Sequence, residues 1–167
     1  TASELAAEGG LQSLVFNTGS FRLFGYARFS APGKPVTIYI EGDGLAYISR
    51  RKVSSNPTPI NPLALQLAAI DPGRNVAYIA RPCQYVDLKE EYLCEKERWT
   101  TARFAEQVIN AVNNAIEIVT QTSRSQAIHL VGYSGGGAVV TLVAARRDDV
   151  ASIRTIAGYL DHQALNR

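Results

Sequence analysis

The stretch HLVGYSGGGAVVTLVAARR, residues 129–147, decides which fold this chain predicts. Its first residues form a short apolar run, typical of a strand that is covered on both faces. Its last residues, GAVVTLVAARR, predict a helix closed by positive charge in its last turn. Between them stands a turn of glycines around one serine, Ser134. The sequence therefore predicts a strand, a sharp turn and a helix in direct succession.

Strand and helix patterns alternate on both sides of this stretch. LQSLVF and FRLFGYARF, joined by NTGS, predict an antiparallel hairpin. VTIYI, NVAYIA, QAIHLVG and SIRTIAGY predict further strands, and LALQLAAI predicts a helix that Asn61 caps. Apolar residues at spacings of three and four predict a long helix from about Trp99 to Thr120. This order predicts one α/β domain over residues 1–167, with a mostly parallel sheet, an N-terminal antiparallel hairpin and helices on both faces.

Glycine-rich and polar segments follow the predicted strands at the edge where such sheets bind ligands. These segments are EGDG (41–44), RPCQY (81–85), GYSGGG (132–137) and YLDH (159–162). Because the carboxyl ends of parallel strands share one edge of the sheet, we expect all four segments to surround one site.

The serine turn matches the pattern G-x-S-x-G from Gly132 to Gly136. A serine in a sharp strand-to-helix turn projects its hydroxyl above the sheet edge, and flanking glycines avoid clashes there. The N–H of Gly135 then points at a developing oxyanion, where one donor is worth about 3 kcal/mol. A second donor is expected from the N–H of Asp43 or Gly44; alternatively, the Asp43 carboxylate hydrogen-bonds its own turn.

These motifs make the chain resemble the α/β-hydrolase superfamily. NPTPINPLALQLA, ARPCQY and AGYLDH are, in addition, similar to a group of bacterial exported or lipoprotein α/β hydrolases of unassigned substrate. The resemblance runs from about Leu11 to His162. It implies a serine hydrolase that cleaves a small-molecule ester, thioester or amide through an acyl-enzyme on Ser134, the residue at a nucleophile elbow. It implies no metal or organic cofactor.

The catalytic partners of Ser134 are harder to place. His129 lies five residues earlier in the strand, about 16 Å away along the sheet, and is therefore expected to be a face or core histidine. Asp161 and His162 follow the sixth predicted strand and are candidate acid and base, although adjacent side chains diverge. The other explanation is a fold truncated after strand 6. Its missing part, about 60 residues or two strand–helix units, would carry the histidine and the usual acid, so a C-terminal fragment would complete it.

The charge and hydropathy of the chain limit the classes of partner that we expect. The formal charge is +2, which gives no reason to expect nucleic acid, and the run Arg50-Arg51-Lys52 is expected to be a solvated loop. No window reaches the roughly 20 apolar residues of a transmembrane segment. Tyr133 and Tyr47 are expected to be aromatics of the site's rim, with pocket lining as the alternative.

The two cysteines and the first residue of the sequence indicate where in the cell the protein is located. Cys83 and Cys94 lie without a nearby histidine or third cysteine that would complete a metal set, and they predict a disulfide; the alternative is two reduced thiols. A disulfide points to an exported protein (periplasmic, secreted or lipid-anchored) rather than to the cytoplasm. The sequence lacks methionine, so we expect Thr1 not to be the original start.

Two other functions stay open at this point. A noncatalytic hydrolase-like fragment would keep the serine turn and bind another chain through its open sheet edge. A phosphate-ligand binder would use the glycine turn at the helix N-terminus. The fingerprints G-x-G-x-x-G and G-x-x-x-x-G-K-[ST] are both missing from this turn, which favours the hydrolase.

Overall fold

The computed structural model describes residues 1–158. The strands are β1 (Gln12–Asn17), β2 (Arg22–Phe29), β3 (Val36–Ile40), β4 (Tyr47–Ser49), β5 (Lys52–Val53), β6 (Asn75–Ile79), β7 (Ile128–Tyr133) and β8 (Val150–Ile156). The α-helices are α1 (Ala2–Glu8), α2 (Leu63–Ile70), α3 (Glu106–Ser123) and α4 (Gly135–Ala144), and a 3₁₀ helix spans Lys96–Trp99.

Six strands form one sheet in the order β1-β2-β6-β3-β7-β8. The hairpin β1–β2 and the pair β2–β6 are antiparallel, whereas β6, β3, β7 and β8 run parallel to one another. The predicted fold class, a mostly parallel sheet with an N-terminal antiparallel hairpin, is confirmed. β4 and β5 form a separate small hairpin that the sequence analysis missed.

Helices cover both faces of the sheet, as predicted. α3 and α4 pack on one face in a large apolar core, and α1 and α2 pack on the other in a smaller one. The apolar face predicted for α3 is buried at Val108, Ile109, Val112, Ile116 and Val119. The central strands β6 and β3 lie between these layers, which brings their carboxyl ends to one covered edge of the sheet.

The predicted start of the longest helix is wrong. α3 begins at Glu106, not near Trp99, and two guanidinium groups contact the turns that precede it. Arg81 Nη2 donates to the carbonyl of Arg103 at 2.7 Å, and Arg103 Nη1 donates to the carbonyl of Thr100 at 2.8 Å. The backbone of this segment forms turns: the N–H of Ala102 donates to the carbonyl of Glu97 at 2.7 Å, and the N–H of Ala105 donates to that of Ala102 at 3.0 Å.

Two predictions about helix ends are also wrong. Asn61 does not cap α2: the capping position is Pro62, without a side-chain hydrogen bond. The N–H groups of Ala64 and Leu65, in the first turn of α2, are directed at the carboxylate of Glu41, which follows β3. They favour its ionised form and so oppose the rise in its pKa. At α4, the last turn holds no basic residue, because the helix ends at Ala144, before the arginine pair.

The predicted disulfide is confirmed: Cys83 and Cys94 are bonded, with their Cα atoms 5.5 Å apart. The basic run Arg50-Arg51-Lys52 lies exposed at the turn of the β4–β5 hairpin, in agreement with the expected solvated loop. Within residues 1–158, no helix is both long enough and apolar enough to cross a membrane.

Candidate active site

Ser134 lies at the corner between β7 and α4 with φ 51° and ψ −121°. A positive φ in a residue other than glycine costs about 1–3 kcal/mol and persists only where surrounding contacts enforce it. Here the N–H of Ser134 donates to the carbonyl of Ile156 at 2.9 Å, and the N–H of Gly137 donates to the carbonyl of Ser134 at 2.9 Å. The corner is therefore held on both sides, by β8 and by the first turn of α4.

The glycines around Ser134 permit close backbone approach. A Cβ on Gly132 would lie 2.3 Å from the carbonyl oxygen of Gly136, and one on Gly136 would lie 2.5 Å from that of Ile40. A Cβ on Gly42 would lie 3.2 Å from the Cβ of Ser134. The start of α4 thus rests directly on the ends of β7 and β3, and the EGDG loop passes beside the serine.

Several polar groups at this corner are left without partners. Within the described part of the chain, the Ser134 hydroxyl makes no hydrogen bond, and the N–H of Gly135 has no acceptor. The N–H groups of Asp43 and Gly44 also lack acceptors among residues 1–158. An unpaired hydroxyl with nearby unpaired N–H groups is the arrangement that a bound carbonyl group would satisfy.

Two clefts meet at Ser134. One, of about 260 Å³, is lined by Glu41, Asp43, Gly44, Leu45, Pro59, Ile60, Asn61, Tyr133 and Ser134. The other, of about 510 Å³, is lined by Asp43, Gly44, Ala46, Tyr47, Trp99, Arg103 and Ser134. Tyr133 and Tyr47 thus each line one cleft, so the structure favours pocket lining, the alternative to rim aromatics. Both clefts share Asp43, Gly44 and Ser134 in their lining.

The Asp43 carboxylate lies between two guanidinium groups. Arg81 Nη1 and Arg103 Nε approach it at 3.3 Å each, and the Phe104 ring lies 4.7 Å from the Arg103 guanidinium. Burial lowers the pKa of Arg81, which the charge of Asp43 opposes. Within residues 1–158 the carboxylate makes no hydrogen bond to its own turn, and its partners are the two arginines. Its Oδ1 would lie 2.1 Å from a Cβ on Gly135, so it packs against the start of α4.

A second carboxylate, Glu41, is buried at the end of β3 with 1% of its surface exposed. It accepts a hydrogen bond from the Tyr78 hydroxyl at 2.9 Å and from the N–H of Gly42 at 3.1 Å. Burial raises the pKa of Glu41, and these hydrogen bonds oppose the rise. The motifs do not single out Glu41 as a buried carboxylate, although an acidic residue directly after an apolar strand is a usable signal of one.

No protein-family model matches the sequence, and no curated protein matches it either. Solved structures do match. A protein of unknown function from Agrobacterium tumefaciens, described as an α/β hydrolase, aligns with a TM-score of 0.60 and 17% identity, over 88% of this chain. A dienelactone hydrolase-like promiscuous phosphotriesterase from metagenomic libraries aligns at 0.54 and 16%, over 89%. An esterase from Pyrococcus furiosus aligns at 0.57 and 11%, over 95%.

The chain has the α/β-hydrolase fold. It spans 60%, 59% and 52% of the lengths of these three structures, respectively. At such low identity the likeness concerns the fold alone.

A serine nucleophile needs a nearby base, so the positions of the two histidines matter for Ser134. His129 lies half-buried in β7, with Nδ1 2.6 Å from the Ser152 hydroxyl of β8. It is thus a sheet-face histidine, in agreement with the sequence analysis. Asp161 and His162 lie outside the described residues. No base for Ser134 is therefore found among residues 1–158, nor does that part of the chain hold a cluster of three or more His, Cys, Asp or Glu residues suited to a metal ion.

Proposed function

We propose that this protein is an exported serine hydrolase that cleaves a small-molecule ester, thioester or amide through an acyl-enzyme on Ser134. The observation that carries the proposal is the corner itself. Ser134 has a positive φ and an unpaired hydroxyl where two clefts meet, and the N–H of Gly135 beside it has no acceptor in the described chain. This is the geometry expected of a nucleophile elbow.

In the proposed reaction, Ser134 Oγ attacks the substrate carbonyl carbon while a general base takes the hydroxyl proton. The resulting oxyanion accepts hydrogen bonds from the N–H of Gly135 and from that of Asp43 or Gly44. Each such donor is worth about 3 kcal/mol in the transition state. The base returns the proton to the leaving group, and water then attacks the acyl-enzyme by the reverse sequence of proton transfers.

The proposal assigns the general base to a histidine outside residues 1–158. His162, oriented by Asp161, is one arrangement; a histidine on a C-terminal fragment that completes the fold is the other. The disulfide between Cys83 and Cys94 supports export, because such bonds persist in oxidising compartments.

Space, rather than charge, disfavours phosphate binding at the glycine turn. The Asp43 carboxylate packs against Gly135 at the start of α4, so the space beside that glycine is already filled. The outer strand β8 also fits a noncatalytic fragment that binds another chain, but that role gives no reason for the unpaired hydroxyl and N–H groups around Ser134 among residues 1–158.

A fluorophosphonate probe tests the proposal on the protein as its natural producer makes it. We expect covalent labelling at Ser134, found by peptide mass spectrometry, and loss of labelling in Ser134→Ala. Ser152→Ala is the matched control, because Ser152 is hydrogen-bonded to a histidine but lies on the sheet face. Labelling at Ser152, or none at all, would refute the proposal. The intact mass of the same sample, compared with 18.1 kDa, tells the two sources of the base apart.

A further inference from the structure

The cleft beside Trp99 has an arginine in its wall. Arg103 and Ser134 both line this cleft of about 510 Å³, together with Tyr47 and Trp99. Arg103 comes from the segment between the 3₁₀ helix and α3, which is the segment that the sequence pattern assigned to a helix. The turn that replaces the helix therefore brings a permanent positive charge to the wall of the cleft that Ser134 also lines.

The hydrogen bonds of Arg103 leave part of its guanidinium unused. Nε faces the Asp43 carboxylate at 3.3 Å, and Nη1 donates to the carbonyl of Thr100 at 2.8 Å. Among residues 1–158, Nη2 has no partner, and the buried Nε contacts Asp43 as an ion pair without a hydrogen bond. A guanidinium carries five N–H donors in a rigid plane, so Arg103 retains donors for a ligand. The Phe104 ring, 4.7 Å away, restrains the orientation of that plane.

The charges around Arg103 are unbalanced in favour of an anion. Asp43 is shared between two arginines, of which Arg81 is buried. Glu41, the other nearby carboxylate, accepts from the Tyr78 hydroxyl and from the N–H of Gly42. Asp43, Arg81 and Arg103 together thus carry two positive charges and one negative charge. Arg103, in the cleft wall, is the more exposed of the two arginines.

We propose that Arg103 binds a carboxylate of the substrate, so that the enzyme selects esters whose acyl or alcohol part carries a negative charge. The guanidinium plane matches a carboxylate through two parallel hydrogen bonds. The remainder of such a substrate lies against Tyr47 and Trp99, with its ester group toward Ser134. This selectivity rests on the proposed function, whereas binding of the carboxylate itself does not require Ser134 to react.

Binding is therefore measured without turnover, on the full chain carrying Ser134→Ala. Monomethyl glutarate is titrated against methyl pentanoate, a neutral ester of similar length, by calorimetry. Trp99, the only tryptophan in the sequence, reports by fluorescence whether the ligand enters its cleft. We expect saturable binding of monomethyl glutarate with a change in Trp99 emission, at least tenfold weaker binding of methyl pentanoate, and weakening of the charged ester alone by added salt.

Variants at Arg103 decide the assignment. Arg103→Gln is expected to lose at least tenfold in affinity for monomethyl glutarate and nothing for the neutral ester, and Arg103→Lys is expected to lie between. Arg98→Gln is the matched control, because Arg98 precedes Trp99 but lies over Phe21, outside the lining of the cleft. Circular dichroism verifies the fold, and Arg103→Lys together with the salt dependence keeps the test decisive if Arg103→Gln unfolds.

Three results would overturn the subsite. They are equal affinity for the charged and neutral esters, unchanged affinity in a folded Arg103→Gln, and tighter binding of methyl phosphate than of monomethyl glutarate. Retained binding of monomethyl glutarate with no fluorophosphonate labelling would refute the serine hydrolase but not carboxylate binding by Arg103. Labelling of Ser134 with equal affinity for the charged and neutral esters would support the serine hydrolase and refute carboxylate binding by Arg103.

Discussion

At the scale of single residues, Gly135 connects the serine corner to the Asp43 ion pairs. A methyl group at this position would lie 2.1 Å from Asp43 Oδ1, and two arginines hold that carboxylate in place. We therefore expect Gly135→Ala to lower the free energy of unfolding by about 1–3 kcal/mol, as overpacking does. We also expect it to abolish labelling of Ser134, because either Asp43 or the start of α4 must move. Urea unfolding and fluorophosphonate labelling measure the two effects.

The matched test repeats Gly135→Ala in an Asp43→Ala background. All three atoms nearest to the added methyl belong to the Asp43 side chain. Without that side chain the methyl meets none of them, and alanine is the better helix former, so the second substitution is expected to be neutral or stabilising. An equal loss of stability in both backgrounds would show that the clash with Asp43 is not the cause.

At the scale of elements, Glu41 connects β3 to Tyr78 of β6 and to the first turn of α2. Its pKa is raised above the ordinary 4.5, so the folded protein holds the carboxyl proton more tightly than the unfolded chain does. The stability gained from protonated Glu41 is thus fully present below pH 4.5 and is lost as pH rises through the folded-state pKa. We expect Glu41→Gln, whose amide does not titrate, to gain stability relative to the wild-type protein as pH rises.

Urea unfolding of both proteins from about pH 4 to about pH 8 measures this difference and cancels the contributions of the other titrating groups. Asp71→Asn is the control, because the Asp71 carboxylate accepts from the Tyr39 hydroxyl at 2.6 Å but is more exposed than Glu41. A difference between the wild-type protein and Glu41→Gln that stays constant with pH would contradict the prediction.

The disulfide closes a surface segment that reaches two parts of the fold. Between Cys83 and Cys94, Gln84 donates to the carbonyl of Gly42 at 3.0 Å, and Glu91 is paired with Arg22 of β2. We expect the double variant Cys83→Ser, Cys94→Ser to lose about 3 kcal/mol in the free energy of unfolding, because the closed ring no longer restricts the unfolded chain. Reduction of the wild-type protein before urea unfolding should give the same loss; a stability unaffected by reduction would contradict it.

Local sequence patterns correctly predicted the elements whose apolar residues simply pack on the sheet. Apolar spacing located the buried face of α3, and the run from β7 through Ser134 to α4 was read directly from its glycines. The start of α3 was missed because WTTARF holds no glycine or proline to mark a break. Arg81 lies 22 residues before Arg103 and donates to its carbonyl, and a contact between residues so distant in sequence leaves no local pattern.

At the scale of the whole molecule, the site is assembled from loops at one edge of the sheet. The strand pattern predicts that these loops share the edge, but it does not predict the contacts between their side chains. EGDG and GYSGGG were expected to meet, and in the structure Gly42 lies against Ser134. Nothing in the sequence predicts that Asp43 is held by arginines after β6 and before α3. Strand order follows from alternation and chirality, whereas side-chain pairing across the edge depends on packing of the complete sheet.

The outer strand β8 leads to a last prediction, about association. It pairs with β7 on one side, no strand among residues 1–158 pairs with its other side, and Ile153 and Ile156 remain 42% and 37% exposed. Unpaired strand edges with apolar side chains recruit other chains. We expect the 167-residue chain to self-associate with rising concentration in sedimentation experiments, and Ile153→Lys to shift it toward monomer. Ile70→Lys, at an isoleucine that is 78% exposed on α2, should leave association unchanged. A chain that stays monomeric in every form would mean that β8 is not an open edge in solution, since a free edge with this composition would pair with its own copies.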